Sequence, residues 1–176
     1  MAKHKHQTRE PGFYDFVQAS VFDETLAQRM VREKPLWLTI TNSIEETALA
    51  YVVIENYLKA ARFLLSAGAD INTRNMSAQT PLMHASGLGH QDLVALLLER
   101  GAEVNAEDSD QETALFKAVR YGHAEICEAL ITGGAIMQGR NDINECLSDV
   151  VLPRKREQVL SLLVRHGYRE LAPPVG

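Results

Sequence analysis

Thr80-Pro81-Leu82-Met83-His84-Ala85, Gly87-Leu88-Gly89-His90, Asp92 to Arg100 and Gly101-Ala102-Glu103-Val104-Asn105 together form the stretch whose reading decides the fold. The first segment predicts a short helix, because a threonine oxygen caps free amides and proline at the first helical position gives up no needed hydrogen bond. Gly87 to His90 breaks that helix. Asp92-Leu93-Val94-Ala95-Leu96-Leu97-Leu98-Glu99-Arg100 predicts a second helix with apolar residues on more than one side, so it has to be buried between neighbours. Gly101 suits a left-handed helix cap. From Ala102 to Glu112 polar and turn-forming residues predict a projecting loop or hairpin.

Outward from this stretch the landmarks return every 33 residues: Gly68, Gly101, Gly134 and Gly167; Thr47, Thr80 and Thr113; Leu49, Leu82 and Leu115; Gly89-His90 and Gly122-His123; Ile71-Asn72 and Val104-Asn105. Self-similarity at such a period is the mark of a stacked array, in which each unit buries its apolar face only against its neighbours. The period together with Thr80-Pro81-Leu82, Gly89-His90 and Gly101-Ala102-Glu103-Val104-Asn105 resembles the ankyrin repeat. The resemblance implies an all-α ankyrin-repeat solenoid of stacked helix-turn-helix units with short β-hairpin loops.

Units are expected at residues 42–74, 75–107 and 108–140. Residues 141–173 keep Gly167 and Leu162-Leu163-Val164, but Cys146-Leu147 stands for Thr-Pro and Lys155-Arg156 for Gly-His, so they are read as a degenerate C-terminal capping repeat. Residues 13–41 are expected to supply N-terminal capping helices, with Asp23 capping the second and Pro35 stopping it. Residues 1–12 and 172–176 are expected to be mobile tails.

Composition narrows the function classes. The chain has 176 residues, 45% hydrophobic and 23% charged, which is a globular composition, and its net charge of −5 argues against a protein built to grip phosphate backbones. The longest apolar run, Ala48 to Ile54, is too short for a membrane span. The basic start lacks the apolar stretch of a secretory signal, and Cys127 and Cys146 complete no zinc pattern, so an unbridged protein of the reducing cytoplasm is expected. No phosphate-cradling glycine loop, nucleophile elbow or metal-binding helix motif is found. Lys3-His4-Lys5-His6 is a poor metal site, and no cofactor, metal or catalytic residue is assigned.

Most conspicuous side chains read as structural. His90 and His123 fall in the interhelix turn, where the resemblance implies a hydrogen bond to backbone; Cys127 belongs to the buried stripe of Ile126 and Leu130. Met83 and Phe116 stand where the family most often has histidine, and apolar packing is expected there. His84 and Lys117 follow without an evident role. Trp37 is expected to cover the N-terminal cap, the alternative being an exposed anchor for a partner.

The resemblance also implies that partners meet the concave side, formed by loop tips and exposed positions of the first helices. These positions are Ser43, Ile44, Glu46 and Ile54; Met76, Ser77, Gln79 and Leu88; and Ser109, Asp110, Glu112, Arg120 and Tyr121. Leu88, Arg120 and Tyr121 are the expected anchors, since aromatics and arginine dominate interface energetics. Glu103, Glu107, Asp108, Asp110 and Glu112 include no Lys or Arg and would either steer a partner with a basic patch or form a solvated loop. Arg154-Lys155-Arg156 with Arg165, His166 and Arg169 makes the C-terminal unit basic. The expected function is a monomeric, non-enzymatic module that binds a protein partner. The alternative is an accessory or regulatory subunit of an enzyme, of inhibitor or immunity type.

Overall fold

The computed structural model describes residues 12–169, so the expectations for Lys3-His4-Lys5-His6, most of the 1–12 tail and the 172–176 tail lie outside the described residues. Helices α1 (Phe13–Phe22) and α2 (Glu24–Glu33) are followed by a single 3-10 turn over Pro35–Leu38. Asp23 Oδ1 accepts from Leu26 N–H at 3.0 Å at the start of α2, and Pro35 opens the 3-10 turn that follows it. Helix pairs then follow: α3 (Ala48–Ile54) with α4 (Leu58–Ser66), α5 (Pro81–Leu88) with α6 (Gln91–Glu99), α7 (Ala114–Tyr121) with α8 (Ala124–Thr132), and α9 (Leu147–Val150) with α10 (Arg156–Arg165).

The first helices of each pair stack as an inner layer, α3 on α5 on α7 on α9, and the second helices as an outer layer, α4 on α6 on α8 on α10. Between the layers lie Leu49, Leu64, Leu82, Leu93, Leu97, Leu115, Leu130, Leu147 and Leu163, all almost wholly removed from water. Each such side chain contributes about 1.5–3 kcal/mol of burial. Met83 and Phe116 are buried in this core, as apolar packing requires. The N-terminal pair joins the core through α1, which packs on α3 and α4, and Phe16 stacks on Trp37 with ring centroids 5.7 Å apart. Trp37 therefore serves packing.

Thr47, Thr80 and Thr113 cap the inner helices, their hydroxyls accepting from Ala50, Met83 and Phe116 N–H at 3.3–3.4 Å. In the terminal pair Cys146 reverses the arrangement. Its backbone N–H and its thiol both donate to Asp149, at 2.9 and 3.0 Å, which holds that carboxyl below its ordinary pKa.

As an all-α solenoid requires, the described residues form helices and no strand, and the loops between units close as turns. Among the described residues the only β-type pairing is an isolated antiparallel bridge between Thr41 and Thr47, at the junction of the N-terminal cap and the first unit. The reason is chemical: Asn42, Asn75, Asp108 and Asn141, 33 residues apart, each turn a side-chain oxygen onto tip amides that a ladder would use. Asn75 Oδ1 accepts from Ser77 and Gln79 N–H at 3.0 Å, and Asp108 Oδ1 from Asp110 and Glu112 N–H at 3.0 and 2.9 Å. Each tip passes through one left-handed residue, Glu45, Ala78, Gln111 or Asn144, with φ between 58° and 68°. Neighbouring tips are joined by single backbone bonds, Met76 N–H to Ile44 O, Ser109 N–H to Ser77 O and Asp142 N–H to Asp110 O.

Candidate protein-binding face

The face that the resemblance makes concave is bounded by the tips on one side and by the inner helices α5 and α7 on the other. Leu88 ends α5 and Tyr121 ends α7, one period apart, and each keeps 51% of its surface in water. They line one depression of ≈ 460 Å³ with Gln79, Met83, His84, Gly87 and Lys117. Gly87 shapes its floor: a Cβ there would stand 3.7 Å from Tyr121 Cε2, so the ring of one unit lies over the glycine of the unit before.

A second depression of ≈ 400 Å³ begins at the same Tyr121 and Lys117 and is lined by Asp110, Glu112, Arg120, Asn141, Asp142 and Ile143. Of the nine residues singled out in the second and third units, Gln79, Leu88, Asp110, Glu112, Arg120 and Tyr121 are thus brought to one surface. Met76, Ser77 and Ser109 are exposed at the tips beside it.

Glu112 departs from the expected exposed position. It is only 3% exposed and Asp108 6%, and both are neutralised from the helix behind them. Lys117 Nζ lies 2.7 Å from Asp108 Oδ2 and 2.7 Å from Glu112 Oε2, while Arg120 pairs with Glu112 Oε1. Asn141 of the next unit donates to Glu112 Oε1 at 3.2 Å. The acidic stretch is therefore not a uniformly solvated run: Asp110, with Glu103 and Glu107 further along the loop, is exposed, whereas Asp108 and Glu112 are part of the framework. Arg120 retains 34% of its side-chain surface, so it can meet a partner only while held by Glu112.

The other units solve the same place differently. Asn42 Nδ2 donates to Glu46 at 2.9 Å and Asn141 Nδ2 to Glu145 at 3.1 Å, a bond that Asp108 cannot give to Glu112. Lys117 supplies the missing protons. One period earlier the position belongs to His84, whose Nε2 is 3.5 Å from Asn75 Nδ2 and whose pKa is pushed down, chiefly by burial, with Glu46 opposing and Lys117 adding. The roles of His84 and Lys117 escaped the sequence reading, although the 33-residue spacing of the four Asn/Asp residues was there to be seen.

His90, His123 and Cys127 lie in the framework. His90 Nε2 is 3.0 Å from Ile54 O, and His123 Nε2 is 3.1 Å from Gly87 O. Cys127 is fully buried and its thiol is raised to about 12 by that burial, so it stays a thiol at neutral pH. No helix among the described residues is long and apolar enough to cross a membrane.

Comparison with curated proteins finds no match. A family model described as ankyrin repeats, in three copies, matches residues 49–144, and with more than half of its length so matched the chain belongs to the ankyrin repeat family, whose repeats generally act as protein–protein interaction modules.

Proposed function

We propose that this chain is a non-enzymatic, monomeric module of the cytoplasm that docks one protein partner on its concave face. The observation that carries the reading is the placement of Leu88 and Tyr121, two large side chains half in water, in one depression on a rigid stacked scaffold. Such anchors gain from burial in a complex what they do not contribute to the fold, and a preformed surface loses little entropy on binding. Exposed Asp110 and Asp142 flank the second depression, so a partner segment carrying an apolar or aromatic side chain beside a Lys or Arg fits this face.

The test is a paired affinity capture from native lysate with the wild-type chain and the Tyr121→Ala variant. A protein retained by the first and lost from the second, then shown by calorimetry to bind the variant more weakly by about 2 kcal/mol, is the expected result. Identical recovery by both would remove the concave face from consideration.

A further inference from the structure

A cavity of ≈ 650 Å³ lies away from the face just described. It lies between α2 and α4, where Glu24, Gln28, Val31 and Arg32 of α2 confront Lys59, Arg62, Phe63, Ser66 and Ala67, which lie on or at the end of α4. On each helix these positions follow the spacing of a single face. Among the described outer helices α4, α6, α8 and α10 each rest on the next, whereas α2 meets α4 less closely. The consequence is visible in Phe63, which is half-buried, while Leu96 one period later is 1% exposed.

The rim of this groove is basic in a chain of net charge −5. Arg32, Lys59 and Arg62 are all exposed, and among the described residues none of them has an ion-pair partner. Arg29, also exposed, adds a fourth positive charge on the adjoining flank of α2. The one carboxylate in the groove, Glu24, accepts from Gln28 at 3.0 Å. Val31, Phe63 and Ala67 supply an apolar floor beneath these cations.

We infer that the α2–α4 groove is a second docking site, and that its occupant is an acidic amphipathic helix of a protein partner. Charge complementarity selects the acidic face, and the apolar floor selects the hydrophobic stripe. The two helix faces that line the groove, packed less closely than the other outer helices, select a helix as the element that seats between them. The chain's own N-terminal stretch is a poor occupant, because Lys3, Lys5 and Arg9 outnumber Glu10. On the reading proposed above, which fits the concave face to a basic segment, the two docking surfaces have opposite charge preference and lie on opposite layers.

The site is tested with the full chain and a labelled helical peptide of about 18 residues, leucines spaced at i, i+3, i+4 and i+7 and glutamates elsewhere. Fluorescence anisotropy should show binding that weakens as salt rises. Arg32→Glu/Lys59→Glu/Arg62→Glu should weaken it by about tenfold or more; Lys59→Gln/Arg62→Gln, which only neutralises, should weaken it less. Tyr121→Ala should leave it unchanged. Amide shifts on titration should centre on Val31, Phe63 and Ala67. Four results would overturn the inference: equal binding of a peptide with lysines in place of the glutamates, unchanged affinity of the charge-reversed chain, shifts centred on Leu88 and Tyr121, or no binding of the acidic peptide. Cosedimentation with phosphatidylserine vesicles in place of peptide binding, or a dimer dissolved by the same reversal, would equally overturn it by assigning the groove to a membrane or to a second copy.

Discussion

The Nε2 atom of His123 lies 3.1 Å from the carbonyl oxygen of Gly87, one unit earlier in the stack. A carbonyl only accepts, so this nitrogen carries the proton. His90 makes the same bond to Ile54 O, and where the next histidine would stand the chain has Arg156, the vacant carbonyl of Arg120 being taken instead by Leu152 N–H at 3.3 Å. These bonds satisfy the carbonyls that the ends of the inner helices leave open. His123→Ala should therefore lower stability by about 1–2 kcal/mol in urea unfolding, without altering the helical spectrum. An unchanged midpoint would mean that water replaces the ring at no cost.

Two glycines of similar backbone conformation should respond differently to the same substitution. Gly101 has φ 81° and open space where a Cβ would project. Gly89 also has φ 81°, but there a Cβ would come 2.7 Å from His123 Cε1. Gly101→Ala should cost about 1–2 kcal/mol from the left-handed backbone alone. Gly89→Ala should cost clearly more, since it also displaces the His123 ring from Gly87 O. Equal losses in parallel thermal melts would show that the ring moves aside freely.

The array was legible because its signals are local and repeated: Thr47, Thr80 and Thr113 cap three inner helices, and Gly68, Gly101, Gly134 and Gly167 all take the left-handed cap. The loop or hairpin expected at the tips forms as a turn without strands, because the Asn and Asp side chains take the amides themselves. Glu112 was misplaced for a different reason. Its neutralising partners, Lys117 and Arg120, lie five and eight residues further on and reach it only because the inner helix folds back under the loop. The α2–α4 groove was invisible in the sequence because how closely two outer helices approach is a matter of tertiary packing that the pattern within either helix does not report.

His84 should leave a trace in the acid limb of stability. Burial lowers its pKa below the ordinary 6.5, so the folded state favours the neutral ring. The unfolded chain then binds the proton more readily, and stability rises with pH across this range. The contribution is full above 6.5 and is lost as pH falls through the lowered value. Urea midpoints measured between about pH 5.5 and 7, below which carboxylates begin to titrate, should fall on acidification in the wild type and less steeply in His84→Gln. Parallel curves would show that protonation is accommodated, with Glu46 compensating the charge.

Lys117 should be worth more to this fold than a surface lysine. It is the only group among the described residues that pairs with Asp108, whose side chain is 1% exposed, and it shares Glu112, at 4%, with Arg120. Lys117→Ala leaves one buried carboxylate uncompensated and should cost about 3 kcal/mol, far above the about 0–1 kcal/mol of an exposed pair. Asp108→Asn should recover much of that loss in the same background. The amide keeps the side-chain oxygen that turns the tip, removes the orphaned charge, and donates to Glu112 as Asn42 donates to Glu46 and Asn141 to Glu145. In the wild-type background the same Asp108→Asn change should destabilise, because there it removes a partner of Lys117. The double-mutant cycle should thus give a coupling of about 1–3 kcal/mol in equilibrium unfolding. Additive losses would mean that Lys117 and Asp108 act independently, and that the tip is held by its backbone turn rather than by charge.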